Sequence, residues 1–379
     1  MKKIIPFFMV IIIFSALIFI FTFPLLTKVN SLIPGFSSSD ESFASLWYSW
    51  RIKYSFSHKL ALDKTDLIAY PFGMSFYSSG ILSYLWISWT HLLSLIFTPA
   101  LAYNIQVFLN ILLNAFFTYL LCRYVTSDQR GALFSALIFA FCPYQFVRIW
   151  QHLTLTYNEW IPLVLLALIL YKKDTSRKNA IILLMSLILL LSFDYSIAYM
   201  GAIALAAFLI YVLFFNWRNK FFREKDQLGV DLKYFGKVTL LLIIAFVILV
   251  PQFLSIIRNI TKLSATTVAS AHNPYHRPFE DLFTQSAKPL SYFLPASTHP
   301  LFGKFTENFV GTQLYGESFT EHTLYLGWTP LILAFVAFRR WKKKRKEINR
   351  LGTVPCGNGE GPSRENFYIG FFIFLAVVA

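Results

Sequence analysis

The sequence predicts an all-α, polytopic transmembrane protein, and three observations carry that expectation. The 379 residues are 56% hydrophobic and 18% aromatic but only 14% charged, a balance too apolar for an ordinary soluble domain. The apolar residues gather in runs long enough for membrane helices. The basic residues, 34 Lys and Arg against 19 Asp and Glu, concentrate in alternate joints between those runs, as they do when positive loops stay cytoplasmic. A basic excess also suits nucleic acid, but between apolar spans its role is topological, and no nucleic-acid partner is expected.

The first run, Ile4 to Leu26, spans 23 residues, enough for a hydrocarbon core of about 30 Å. Lys2 and Lys3 hold its start in the cytoplasm. It resembles a signal peptide in charge, yet its core is long and Phe-Pro-Leu-Leu-Thr-Lys lacks small cleavage residues, so an uncleaved anchor is expected. Phe43, Leu46, Trp47, Trp50 and Tyr54 then fall at helical spacing on one face, predicting a helix that lies on the membrane surface. Tyr70-Pro71-Phe72-Gly73 breaks the chain into a turn.

Ile81 to Phe97 is ambiguous, because its 17 residues are the lower limit for a span and include His91, Trp86 and Trp89. Loop charge decides the case. With this stretch as a membrane-dipping part of the first outer loop, later spans run about 103–122, 131–148, 158–171, 179–193, 197–215, 238–257 and 323–338. The cytoplasmic segments then hold 23 Lys and Arg and the outer ones 11, whereas a full span there leaves 8 inside and 26 outside. The first arrangement is expected, with the N-terminus cytoplasmic and the protein multi-pass in the plasma membrane.

Two large outer loops follow, about 28–102 and 258–322, with short ones near 149–158 and at Asp194. The whole chain, 1–379, reads as a single transmembrane domain. Arg339-Arg340-Trp341-Lys342-Lys343-Lys344-Arg345-Lys346 is a cytoplasmic stop that can also touch anionic headgroups. The last apolar stretch, Phe367 to Ala379, has 13 residues and cannot cross alone, so the sequence is expected to be truncated there. Cys122 and Cys356 fall in cytoplasmic loops and Cys142 in a span; no disulfide is expected.

Asp40 and Glu41 form an acid pair on the first outer loop, beside the aromatic helix. Either can act as general base toward an attacking hydroxyl. Equally, Ser39 or Asp40 can cap the helix that begins near Glu41. Arg148, Gln151 and His152 share a face if the third helix extends past Pro143, where Arg and His would bind a phosphate leaving group. The alternative has them snorkelling to headgroups while Glu159 starts the next helix.

Asp194 lies at the outer end of a span, where an ionisable residue is a functional candidate or the cap of the helix from Tyr195. In the second large loop, Arg277 and His322 are candidate phosphate or sugar contacts among His272, His276, His299 and Glu321. Zinc-ligand spacing is lacking there, so no metal is expected. No phosphate-cradling loop, dinucleotide fingerprint or nucleophile elbow occurs, and neither a cofactor nor a nucleotide-driven pump is expected.

The order of these features resembles the GT-C class of integral-membrane glycosyltransferases. The resemblance rests on Asp40-Glu41-Ser42-Phe43 through Trp47 and Trp50, Tyr70-Pro71-Phe72-Gly73, Arg148-Ile149-Trp150-Gln151-His152-Leu153 through Glu159-Trp160-Ile161-Pro162-Leu163, Tyr292-Phe293-Leu294-Pro295 with His299-Pro300, and Tyr325-Leu326-Gly327-Trp328. It covers most of the chain through short, degenerate motifs. It implies a GT-C-like fold, Asp40 as base with Glu41 the near alternative, and His152 and Glu159 near the head group of a polyprenyl-phosphate-linked sugar donor. Some relatives carry a second-loop acid pair, whereas this chain offers only Glu159 there. The implied activity is hexosyl transfer to a glycan, lipid or protein acceptor outside the membrane, in contact with membrane lipids. The alternatives are a surface-polysaccharide polymerase or ligase and a lipid or glycan transporter (flippase).

Overall fold

Backbone polar groups in a long apolar run have only one another as partners, so such runs close into helices. The computed structural model is mostly helical and describes residues 5–35, 40–62, 64–75, 93–220, 227–267, 279–280, 283, 286–297, 299, 301–310, 323–351 and 371–372. In chain order the elements are α1 (Ile5–Phe21), α2 (Asp40–Ser57), β1 (Lys64–Thr65), β2 (Met74–Ser75), α3 (Pro99–Thr126), α4 (Gln129–Ala140), α5 (Pro143–Gln151), α6 (Trp160–Lys173), α7 (Arg177–Phe193), α8 (Tyr195–Lys220), α9 (Gln227–Thr267), α10 (Gly303–Val310) and α11 (Trp328–Leu351). β1 and β2 form a minimal antiparallel hairpin.

Among the described residues, five segments are long and apolar enough to cross a membrane: Pro99–Thr126, Gln129–Gln151, Leu153–Lys173, Tyr195–Leu213 and Leu232–Pro251. They cover the expected spans 103–122, 131–148 and 158–171 and most of 197–215 and 238–257. The expected first span is shorter as a helix. Thr22 turns its hydroxyl back to Ile18 O at 2.7 Å, and Pro24 cannot continue the ladder. The expected span 179–193 is the 17-residue α7. The expected 323–338 starts later, at Trp328, and its helix continues through the basic run. Most of the ambiguous stretch 81–97 lies outside the described residues.

α3 is the central post, packed on α1, α2, α4 and α6, while α6 to α9 pack mostly on one another. Ala132, Ala136 and Ala140 repeat once per turn on α4 and are fully buried, small side chains that allow close helix approach in a membrane. Ile243, Phe246, Val247 and Ile248 on α9 and Phe8, Ile12 and Ile20 on α1 stay exposed, as suits helices bathed in lipid. Arg123, Arg130, Lys172, Lys173, Arg177 and Lys178 flank the joints at one pole. The opposite pole receives the end of α1, the start of α2, α5 and the start of α6.

Two local departures shape that opposite pole. The expected helix through Pro143 breaks at Phe141 and Cys142, because proline at a first helical position starts α5. Cys122, expected in a loop, lies within α3. The 14 residues of α6 reach only about 21 Å, short of a hydrocarbon core of about 30 Å. α5 and a 3-10 turn at Leu153–Thr156 precede it and complete that layer.

Candidate functional site

Asp40 and Glu41 open the first turn of α2, and their side chains lie outside the described residues. The position of that turn is set by its neighbour Ser42, whose hydroxyl donates to Trp150 O at 3.3 Å and shares a hydrogen bond with Tyr103 OH at 3.4 Å. Just upstream, Asn104 on α3 donates to Val29 O and Leu32 O at 2.8 and 2.7 Å, tying down the segment that leads to α2. At Gly35, φ is +146° and a Cβ would come within 2.8 Å of Trp150 O, so the close approach of the two segments requires glycine. The acid-bearing turn therefore lies beside the end of α5. On α2 itself, Ser42, Tyr48, Ser49, Ile52 and Ser55 form the buried face. Of the expected stripe, Phe43 and Trp50 are exposed and Tyr54 is half-buried, while Leu46 and Trp47 pack partly against the apolar core.

α5 brings Arg148 and His152 to this junction, though not on a shared helical face. Arg148 is buried, with its guanidinium 5.4 Å from the Tyr144 ring centre. His152 terminates the helix, its backbone N–H donating to Arg148 O at 2.7 Å. Two apolar chambers flank α5. One, of about 320 Å³, lies among the end of α1, residues 32–35, Val107, Phe146, Ile149 and Trp150. The other, of about 430 Å³, runs from Phe21, Phe141 and Phe146 to Ala296, His299, Thr323 and Tyr325. Phe21, Phe146 and Trp150 line both.

Segments noted in the sequence meet at the second chamber. Leu326 N donates to Tyr292 O at 3.2 Å, and Trp328 Nε1 donates to Phe293 O at 2.8 Å. His299 Nδ1 accepts from Leu301 N and Phe302 N, both at 3.2 Å, and its ring meets Tyr325 edge-on at 6.3 Å. Part of the 258–322 loop thus closes on α1 and α5. Arg277 and His322 lie outside the described residues.

Glu159, which the resemblance implies lies near a donor head group, is enclosed in the bundle. It is 1% exposed and accepts from Asn114 Nδ2 at 3.1 Å. Asn114 Nδ2 also meets Asn110 O at 2.9 Å and Thr156 O at 3.0 Å, while Asn110 Nδ2 donates to Thr156 Oγ1 at 2.8 Å. Gln145 donates to the same Thr156 O at 3.2 Å, and Tyr157 OH donates to Gln106 Oε1 at 3.4 Å. This seam locks the 3-10 turn onto α3, because a polar group left alone inside the bundle is costly. Sequence reading missed it by treating 103–122 as simply apolar. The available signal was Gln106, Asn110, Asn114 and Thr118, one per turn along a span.

Asp194 takes its expected capping position. Its Oδ1 accepts from Ser196 N at 2.8 Å and Ile197 N at 3.2 Å. Burial pushes its carboxyl above the usual range, partly offset by those bonds and by one from Thr154. Among the described residues no cluster of three or more His, Cys, Asp or Glu has the arrangement of a metal site. Comparison with protein-family models, curated proteins and solved structures finds no match to this chain.

Proposed function

We propose that this chain is a membrane glycosyltransferase. It moves a sugar from a polyprenyl-phosphate donor to an acceptor on the outer face of a bacterial plasma membrane, with its N-terminus in the cytoplasm and a GT-C-like arrangement of outer loops. The observation that supports this reading most is the meeting, at one pole, of the Asp40-Glu41 turn of α2, the Arg148 and His152 end of α5, and the two apolar chambers sharing Phe21, Phe146 and Trp150. A lipid-carried sugar needs an apolar bed for its chain, a base for the acceptor and positive charge for the departing phosphate.

In the proposed reaction, the Asp40 or Glu41 carboxylate takes the acceptor hydroxyl proton. The acceptor oxygen forms its bond to the anomeric carbon as the bond from that carbon to the phosphate oxygen breaks. The leaving electron pair remains on the phosphate, toward which Arg148 and His152 supply charge-assisted donors. The test is transfer of labelled sugar from a defined polyprenyl-phosphate donor. Asp40→Asn or Glu41→Gln is expected to lower the rate about 100-fold or more, and unchanged transfer by both variants overturns the reading.

A second reading, a lipid or glycan flippase, draws support from the polar seam on α3 and the helix break at Pro143, since transporters interrupt helices at depth. Movement of a labelled donor across proteoliposomes without sugar transfer would favour it. A polysaccharide polymerase or ligase would instead extend a long-chain acceptor in the transfer assay.

A further inference from the structure

The hairpin that follows α2 presents an apolar tip on a rigid frame. Arg51, buried on α2, donates from Nε to Thr65 Oγ1 at 3.0 Å and from Nη2 to Ala61 O and Lys64 O at 3.1 and 3.0 Å. Thr65 Oγ1 in turn accepts from Leu67 N at 3.2 Å. Phe72 N and Gly73 N both donate to Ala69 O at 3.0 Å, closing the turn. Gly73 has φ +68°, and a Cβ there would come within 2.5 Å of Asp66 Oδ1, so this turn is built for glycine. On that frame Tyr70 is 85% exposed and Phe72 92% exposed, with Leu67, Leu60 and Leu62 also outward.

We infer that this tip is a membrane-interface anchor, seating Tyr70 and Phe72 among the headgroups and upper acyl chains of the leaflet at the α2 pole. Three observations favour lipid as the occupant. Tyr and Phe beside exposed lysines, Lys53, Lys59 and Lys64, match the composition of membrane–water interfaces and complement anionic headgroups. The tip is held to α2, whose aromatic stripe keeps Phe43 and Trp50 exposed while Trp47 packs partly against the bundle. That stripe is also unsuited to stacking on a sugar chain. Trp50 stacks on Tyr54 at 4.9 Å and Tyr54 on His58 at 4.0 Å, so much of their ring face is engaged with one another. The edges that remain suit the mixed apolar and polar interface.

The inference needs only a membrane-embedded bundle and stands apart from the glycosyltransferase reading. Its test uses the full chain with the three native cysteines replaced by alanine and one reporter cysteine, Phe72→Cys, Tyr70→Cys or Lys59→Cys, carrying an environment-sensitive fluorophore. In dilute proteoliposomes of zwitterionic and anionic lipid, labels at 70 and 72 are expected to lose most of their fluorescence to quenchers on the lipid headgroup or upper chain. They are expected to resist a water-soluble quencher, with Lys59→Cys showing the reverse. Quenching from water at 70 and 72 equal to that at 59 overturns the inference. So does protection of both tip labels from both quenchers, which would assign the tip to a second copy of the chain.

Discussion

Asn114 on α3 and Ser42 on α2 each hold a neighbouring segment by hydrogen bonds, and their surroundings differ. Around Asn114 the partners are Asn110 O, Thr156 O and the Glu159 carboxyl, all within 3.1 Å. Neither Asn114 nor these partners line the two chambers. Ser42 instead binds Trp150 O, and Trp150 is a wall of both chambers. Similar polar chemistry fastens the bundle in one region and frames a cavity in the other; Ser42 is as buried as Asn114, so bordering a cavity separates candidate chemistry from architecture better than burial or residue type does.

The largest expected effect tests the architectural side. Asn114→Leu removes the donor to Thr156 O and Glu159, and is expected to destabilise the protein by about 3 kcal/mol, read as earlier thermal unfolding in detergent. An unchanged melting temperature would break the contrast. Asp40→Asn and Glu41→Gln should give the opposite pattern, normal melting with roughly 100-fold slower sugar transfer. If either variant also melts early, the acid pair belongs with the structural seam.

Arg148→Lys sharpens the comparison at the boundary of the two regions. Lysine lacks the planar guanidinium that lies over Tyr144, and a loss of about 1 kcal/mol is expected. A role confined to packing would leave transfer unchanged in molecules that remain folded. A role in offsetting phosphate charge would lower kcat.

The smallest effect concerns Asp194. Burial raises its carboxyl pKa, so the folded state favours the protonated form more than the unfolded chain does. The associated stability is fully present below the unfolded Asp pKa and is lost as pH rises through the higher native value. Asp194→Asn should keep the cap within about 0.5 kcal/mol and flatten this slope in a melting series from the ordinary Asp range to neutral pH. A slope as steep as wild type would assign the titration to another group.

Much of the helical frame was legible because span length and apolar content leave a buried backbone one economical solution. The helix of α2 was legible from its period, but its stripe is not a face apart from the bundle, since Leu46 and Trp47 pack partly on the core. The break before α5 was not, although Pro143 marked it, because the apolar run continues on both sides and length alone favoured one helix. In the sequence Glu159 reads as the start of a helix or as a donor contact; its enclosure was not legible, because its environment is made by Asn110 and Asn114, more than forty residues earlier in the chain.

By itself, the sequence determined the helical class and five membrane-length segments, since both follow from the length of the apolar runs and the cost of exposing a backbone to hydrocarbon. Tertiary structure alone decided which polar side chains were enclosed and which segments bordered a cavity. Those outcomes depend on long-range packing: Asn114 meets Glu159 from a neighbouring helix, and Ser42 meets Trp150 across the α2–α5 junction. A one-dimensional pattern specifies a helix face, but only the folded chain supplies the atoms opposite it.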